Sequence, residues 1–565
     1  MRRDLAQALS EAGRAHGEGR LVDAEHRYMA ILKAHPTCFD ALHFLGIVRS
    51  QQGRDAEALA PLRAALALHP RDASALSNFG LILRKMGRVE EALACIDKAL
   101  ELAPNHAEAL NNRGNALTEL GRPAEALESY EKALEIRPGY AEALNNRGSA
   151  LRDLKRGQEA LASYERALKI RPDHAATLNN RGVALQDLKR LDEALASYDH
   201  ALKARPGYAE ALNNRGLVLL ELNRPAEALA SYERALDARP GYGEALYNRG
   251  WTALLMGDFE TGWAGYEHRW NRKDAEPRRL NAHFPNWTGE DPRGKRIVVY
   301  EEQGLGDVIH FSRYLPLLAA RGASVSFLVC APMHRLLRSL APTIRLVDAP
   351  PAGETFDFQC ALASLPLAFK TTPDWAPANV PYLFPEAALA TRWRARIGDH
   401  GFRIGVCWQG NPLSKNDVER FVPLRCFAPI AAIPGARLIS LQKTHGLDQL
   451  ADLPAGLKVE TLGEEFDGGP DAFVDAAAAM SCLDLIVTAD TAVEHLAGAL
   501  GRPVFAVHKL VPDWRWMLGR SDSPWYPTMT LYRQERRGDW DEVFARVAAD
   551  VAKLAAPLQL FPRID

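Results

Sequence analysis

The amino-acid sequence predicts an all-helical α solenoid followed by an α/β region built of two parallel-sheet domains. Two observations predict it. A proline recurs every 34 residues from Pro36 to Pro240. From Arg296 onward, short apolar strands alternate with helical segments, the pattern of parallel sheets. The 565 residues are too many for one hydrophobic core, which agrees with several domains.

The solenoid is read first. Pro36, Pro70, Pro104, Pro138, Pro172, Pro206 and Pro240 keep one phase, and so do Tyr130, Tyr164, Tyr198, Tyr232 and Tyr266. The segments 111–114, 145–148, 179–182 and 213–216 each read Asn-Asn-Arg-Gly. Each unit is expected to hold a first helix such as 107–120, a Gly-Arg turn at Gly121-Arg122, and a second helix such as 123–136. Pro123 suits a first helical turn, where its missing N–H is not needed. Residues 5–35 form a weaker copy, as expected of a capping unit. The last unit gains Trp251, Trp263 and Trp270, read as an apolar cap onto the next domain rather than a sugar-stacking site. This period, with a helix pair per unit, resembles the tetratricopeptide repeat.

Asn78, Asn112, Asn146, Asn180, Asn214 and Asn248 recur at one phase of the first helix. An amide side chain both donates and accepts, so such a column can hold a peptide backbone of any sequence. Tetratricopeptide proteins that resemble this one, above all the O-GlcNAc transferases, line their superhelix with such a ladder. The resemblance makes these six asparagines candidate acceptor-binding residues. The alternative is that they bond neighbouring helices. The adjacent Arg113, Arg147, Arg181, Arg215 and Arg249 read as a solvated stripe.

In the second half, Arg296 to Tyr300 reads as a buried strand and 308–321 as an amphipathic helix. Between them lies Glu301-Glu302-Gln303-Gly304-Leu305-Gly306-Asp307, a glycine loop with an acid at the turn. Strands are also expected at 325–330, 344–348, 356–360, 403–408, 436–441, 483–488 and 504–507. The Pro-rich stretch 371–385 reads as a crossing between the two halves. The third glycine of a dinucleotide fingerprint is replaced by Ile309, and no acid follows the second strand, so a nicotinamide or flavin enzyme is excluded. No P-loop is present.

Gly306-Asp307-Val308-Ile309-His310 is similar to the GDxxH loop of the heptosyltransferase family (glycosyltransferase family nine). Asp490-Thr491-Ala492-Val493-Glu494-His495-Leu496 is similar to that family's second signature. The resemblance spans about 296–545. It implies a GT-B fold of two Rossmann-like domains, a nucleotide-sugar donor and no metal or other cofactor. The layout of repeats plus transferase resembles bacterial tetratricopeptide glycosyltransferases, including flagellin glycosyltransferases. Domains are accordingly expected at 1–270 (solenoid), 271–295 (linker), 296–385 (acceptor half) and 386–565 (donor half).

The resemblance makes Asp307 the catalytic base, against the plainer reading of a helix N-cap. Gly304 and Gly306 shape its loop, and His310 lies one turn on. Asp490 would hold donor hydroxyls, and Thr491 opens a helix whose N–H groups can receive phosphate. His495 shares a helical face with Thr491. Gln409, Lys415 and Arg420 follow one strand, and Gln442 and Lys443 another; the basic ones suit a diphosphate. Asp539-Trp540-Asp541 begins a late helix and is discounted as a metal motif.

The totals fit this picture. Formal net charge is −2, which gives no pull toward nucleic acid or membrane. Seven cysteines without CxxC spacing point to a reducing compartment and away from zinc. No apolar leader or span is read, so a cytoplasmic location is expected. The expected function is transfer of a sugar to Ser or Thr of a polypeptide, with flagellin the acceptor that the resemblance suggests. The alternatives are a non-protein acceptor such as lipopolysaccharide, or a scaffold with an inactive transferase half.

Overall fold

A computed structural model describes residues 2–272, 280, 284–349, 353–412 and 418–560. It divides into two compact units, 1–218 and 219–565. The boundary falls inside the repeat array, not at 270 as the sequence suggests, and the reason lies in the last repeat, described below.

The first unit is built of helix pairs such as Ala107–Glu119 with Pro123–Ile136. The packing explains why glycine and tyrosine keep phase. A Cβ on Gly114 would lie 2.4 Å from the Tyr130 ring, and Gly148 with Tyr164 and Gly182 with Tyr198 repeat the arrangement. Each tyrosine fills the space that its glycine vacates, so neither can drift independently. The turn residue is left-handed in every pair: Gly121 has φ 71°, but Lys155 and Lys189 take the same conformation at 63° and 59° without glycine's freedom.

The arginine stripe is not solvated. Arg113 pairs with Asp97 at 2.7 Å, Arg147 with Glu131 at 3.0 Å and Arg215 with Asp199 at 2.7 Å. Each reaches an acid sixteen residues back, on the preceding helix.

The asparagine ladder also turns inward. Asn146 donates to Asn111 Oδ1 at 3.1 Å and to Asn115 Oδ1 at 2.9 Å. Asn180 donates to Asn145 at 3.1 Å and Asn214 to Asn179 at 3.0 Å. Asn112 donates to Ser77 Oγ at 3.3 Å, and Asn78 meets His43 Nε2 at 3.0 Å. These five amides link successive repeats, because an asparagine here reaches the first helix of the unit before, which is the alternative the sequence offered. Changing Asn146, Asn180 and Asn214 together to Ala is expected to cost about 1 kcal/mol at each position in denaturant unfolding. Unchanged stability with lost acceptor binding would favour the peptide-grip reading.

The second unit begins with the last repeats and carries two sheets, all parallel. The first has β1 (Arg296–Tyr300), β2 (Ser324–Leu328), β3 (Arg345–Val347) and β4 (Phe358–Ala361) in the order β3-β2-β1-β4. The second has β5 (Phe402–Cys407), β6 (Ala436–Ser440), β7 (Val459–Glu460), β8 (Leu485–Ala489), β9 (Val504–His508) and β10 (Met529–Arg533), in the order β10-β9-β8-β5-β6-β7. Strands β7 and β10 were not legible in the sequence; β7 is two residues long and β10 alternates weakly. The helix expected at 308–321 is two helices, Leu305–Ser312 and Tyr314–Ala320. Pro316 lacks the N–H that would have bonded Ser312, so the ladder breaks there. The last helix, Trp540–Leu560, packs Val543, Phe544, Val547 and Val551 against Phe427 and Ile430 under β5 and β6.

The last repeat pair, Gly243–Leu255 and Phe259–Tyr266, belongs with this unit. Gly250 and Gly265 let the two helices touch: a Cβ on either would lie 2.5 Å from the other's Cα. Trp263 is buried, donates to the Thr371 carbonyl at 3.0 Å and meets Trp514 edge-on at 5.1 Å. Phe259 stacks near Trp525 at 5.9 Å. These aromatics are the apolar cap that the sequence suggested, and they pull the repeat end into the α/β unit.

Candidate functional site

In each sheet the strand order reverses once, between β1 and β4 and between β5 and β8. Loops leaving the carboxyl ends of such strands diverge and open a crevice, the place where open α/β sheets bind ligands. The Gly304–Asp307 loop leaves β1. The loop ending at Arg420 leaves β5, and Asp490-Thr491 leaves β8. The two halves bring these loops together: a Cβ on Gly306 would sit 3.2 Å from His495 Cδ2 and 3.4 Å from Ala492 Cα. Gly306 thus eases the close approach of one helix start to another, with no special φ required.

Asp307 occupies the first turn of its helix. Its Oδ2 accepts the Gly304 N–H at 3.1 Å; Gly304 is the N-cap and Asp307 the third helical residue reaching back to it, not the N-cap itself. Its Oδ1 accepts from Arg515 Nη2. Burial pushes the Asp307 carboxyl above the ordinary range, and the Arg515 guanidinium opposes that rise.

The β1 loop is braced from the last repeat. Arg269 is buried and donates to both oxygens of Glu302 at 2.7 Å, and to Ser364 Oγ at 2.7 Å. The Tyr266 hydroxyl bonds the Gln303 amide at about 3 Å. Gln303 itself is left-handed at φ 66°, a conformation that these contacts hold.

On the other half, Arg420 Nη1 donates to Asp490 Oδ1 at 3.0 Å across the β5–β8 reversal. Burial alone would raise the Asp490 carboxyl, but Arg420 holds it well below the ordinary range. Glu494 is completely buried and is pushed far up, first by burial and then by Asp490. Its Oε2 lies 3.9 Å from His508 Nε2. Burial pushes His508 down to about 4, which favours its neutral ring. Thr491 caps its helix through Oγ1 to the Val493 N–H at 3.2 Å, leaving further N–H groups at that terminus for an anion.

His310 and His495 face one another across the halves, ring centroids 5.1 Å apart. Both Nδ1 atoms meet the Tyr526 hydroxyl, at 3.2 and 3.1 Å. Tyr526 has one proton to give, so one histidine accepts from it and the other donates to it. Burial holds both rings neutral, well below their ordinary range. Arg313, also buried, donates to the His310 and Trp525 carbonyls at 2.7 Å. These groups tie the halves together rather than face a ligand. Tyr526→Phe strands two ring nitrogens and is expected to cost roughly 1–3 kcal/mol, read by chemical denaturation.

The remaining sequence candidates separate. Gln442 braces the loop after β5: its Oε1 accepts from the Trp408 and Gln409 N–H groups at 3.1 Å, and its Nε2 donates to the Gln409 carbonyl at 2.6 Å. Its amide is engaged there, which makes it a support of the loop. Gln409 Oε1 accepts from Gln449 at 3.3 Å. Lys443 donates to the Glu464 carbonyl at 3.3 Å, not toward the Asp490 cluster. Lys415 lies outside the described residues. Asp539 accepts the Glu542 N–H at 3.2 Å as a helix cap. Among the described residues, no cluster of acids, histidines and cysteines could hold a metal ion, and no helix is long and apolar enough to cross a membrane. Arg515, Asp513, Glu494, His508 and Tyr526 were not singled out as site residues from the sequence; Arg515 and Tyr526 stand on loops 512–516 and 523–527, whose partners are distant in the chain.

Three comparisons with known proteins bear on this geometry. Residues 3–73, 71–139, 139–206 and 173–241 match tetratricopeptide repeat models. Residues 469–535 match the glycosyltransferase family 9 (heptosyltransferase) model, a stretch that holds Asp490, Thr491, His495, Arg515 and Tyr526. Protein FlbA of Caulobacter vibrioides is 28% identical over 323 residues, 54% of this chain and 54% of that protein. The chain therefore spans about half the length of the curated relative it matches. Among solved structures, YrrB, described as a TPR protein with an unusual peptide-binding site, is 28% identical and covers 33% of this chain and 97% of its own, with a TM-score of 0.28. A tetratricopeptide repeat protein from Parabacteroides merdae is 20% identical and covers 44% of this chain and 99% of its own, with a TM-score of 0.37.

Proposed function

We propose that this chain, which joins tetratricopeptide repeats to a family 9 glycosyltransferase segment, moves a sugar from a nucleotide-sugar donor to a hydroxyl of a polypeptide. The observation that carries the reading is the meeting of the Asp307 loop with the Asp490-Thr491 helix start at two sheet reversals. The two parallel sheets support a GT-B arrangement, with the acceptor on the Asp307 side and the donor on the Asp490 side.

In this mechanism the Asp307 carboxylate takes the proton of the acceptor hydroxyl as its oxygen attacks the anomeric carbon. The bond from that carbon to the donor phosphate oxygen breaks, and the phosphate leaves with the electron pair. Arg420 and the N–H groups at the Thr491 helix start suit the stabilisation of that developing charge. Asp490, held ionised by Arg420, suits the hydroxyls of the donor sugar. No metal ligand set is needed in this scheme. The acceptor is a Ser or Thr of a protein held by the repeats, with flagellin the first candidate, and the reaction belongs in the cytoplasm. The asparagine ladder bonds between repeats and remains one candidate for the acceptor grip.

A thermal-shift screen against UDP-, GDP-, CMP- and ADP-sugars tests the donor half of this reading. A ligand that binds only the folded state raises the melting midpoint by mass action. One nucleotide class is expected to raise it. A folded sample that responds to none of them would overturn the transferase reading and favour a scaffold.

A further inference from the structure

We propose that Arg515 is a positioning residue that holds the Asp307 carboxylate ionised and aimed, with Asp513 as the counterweight that limits its pull. The inference rests on the reading of Asp307 as the base.

Arg515 stands on the second half of the α/β unit, after β9, whereas Asp307 stands on the first. Its side chain is 7% exposed, that of Asp307 21%. One guanidinium nitrogen donates to Asp307, and the other donates to Asp513 Oδ1 at 2.8 Å. Asp513 also accepts the Arg515 backbone N–H at 3.1 Å. The guanidinium lies over the Trp514 ring at 4.3 Å and the Phe311 ring at 5.2 Å, and Trp525 Nε1 donates to the Arg515 carbonyl at 3.1 Å. Arg515 Nε is buried without a hydrogen-bond partner. The cation is thus held between two aromatic rings and shared by its two terminal nitrogens between two acids from two halves.

The sharing has a chemical consequence. An ionised carboxylate has about four lone-pair sites. On Asp307 one goes to Arg515 and one to the Gly304 N–H, so sites remain for an acceptor hydroxyl. A guanidinium committed wholly to Asp307 would make it a poor base; with none, the chief group opposing the upward push of burial would be gone. The charged and titratable groups that face Asp307 are Arg515, Asp513, Arg420 and Tyr266, with the neutral His495 beside Gly306. Arg515 and Arg420 draw the carboxyl toward the ionised form; Asp513 and burial draw it toward the protonated one.

The two partners therefore make opposite predictions. The ligand-free full chain is labelled with a water-soluble carbodiimide and an amine, which react with the protonated carboxyl. Mass spectrometry of the 297–313 peptide follows Asp307 against pH, with Glu301 and Glu302 as internal references. Arg515→Gln is expected to move the half-labelling pH of Asp307 up by about one unit or more, since an adjacent opposite charge shifts a carboxyl by roughly 1–3 units. Asp513→Asn is expected to move it down. A role in packing alone does not give opposite signs. An unmoved midpoint in both folded variants, or movement in one direction for both, overturns the proposal. If Arg515→Gln does not fold, Asp513→Asn decides by itself. The outcome is separable from the base reading: opposite shifts with full transfer by Asp307→Asn would keep the tuning and remove the base, and unmoved midpoints with a dead Asp307→Asn would do the reverse.

Discussion

Asp307→Asn is expected to abolish sugar transfer while leaving the protein folded and its donor affinity unchanged. The substitution is isosteric and keeps an oxygen for the Gly304 N–H, so the helix start survives. Arg515 keeps Asp513 as partner at 2.8 Å, so no cation is left alone. What is lost is the proton acceptor, and removal of a positioned general base lowers kcat by roughly 10²–10⁴-fold. The check is a single-turnover assay with the nucleotide sugar that raises the melting midpoint, beside a melting curve of the variant. Transfer within twofold of wild type would remove Asp307 from the chemistry and leave it as a helix cap.

The second large effect is expected at Arg269, far from Asp307 in sequence. Its side chain and that of Glu302 are 5% and 6% exposed, joined by two bonds of 2.7 Å. Arg269→Ala leaves the Glu302 carboxylate buried opposite no guanidinium. Breaking a buried pair by removing one partner costs about 3–5 kcal/mol, more than the pair contributes in net terms. Glu302 also accepts the Ala363 N–H at 3.1 Å, so it cannot simply turn outward. The loop before Asp307 should loosen, and both the denaturation midpoint and kcat should fall. Arg269→Met together with Glu302→Leu should recover most of the stability but not the activity, because the loop then loses its fixed aim. A double variant with full activity would show that this pair supports the fold alone.

Much of this was legible in the chain. The 34-residue period, the helix pairs and the alternation from Arg296 follow from local rules: prolines at helix starts, small residues where helices cross, and apolar runs that must be buried on both faces. The glycine loop and the Asp490-Thr491 turn could be placed at strand ends, because a strand followed by a helix leaves its turn at the sheet edge. Gly114 with Tyr130 shows how far local pattern reaches, since the spacing of the two residues encodes their contact.

Only the tertiary structure decided the rest, and the reason is the same in each case: the partner is distant in sequence. Nothing near Asn146 says that its amide reaches Asn111 and Asn115. Nothing near Arg113 says that Asp97 lies beside it. The repeat array's end belongs to the second unit because Trp263 finds Thr371 and Trp514, which no periodicity reveals. Asp307 meets Arg515, some two hundred residues away, and Asp490 meets Arg420. Sequence determines which groups can titrate and which backbone turns carry them. The low-dielectric surroundings that set their protonation are made only when the chain closes on itself.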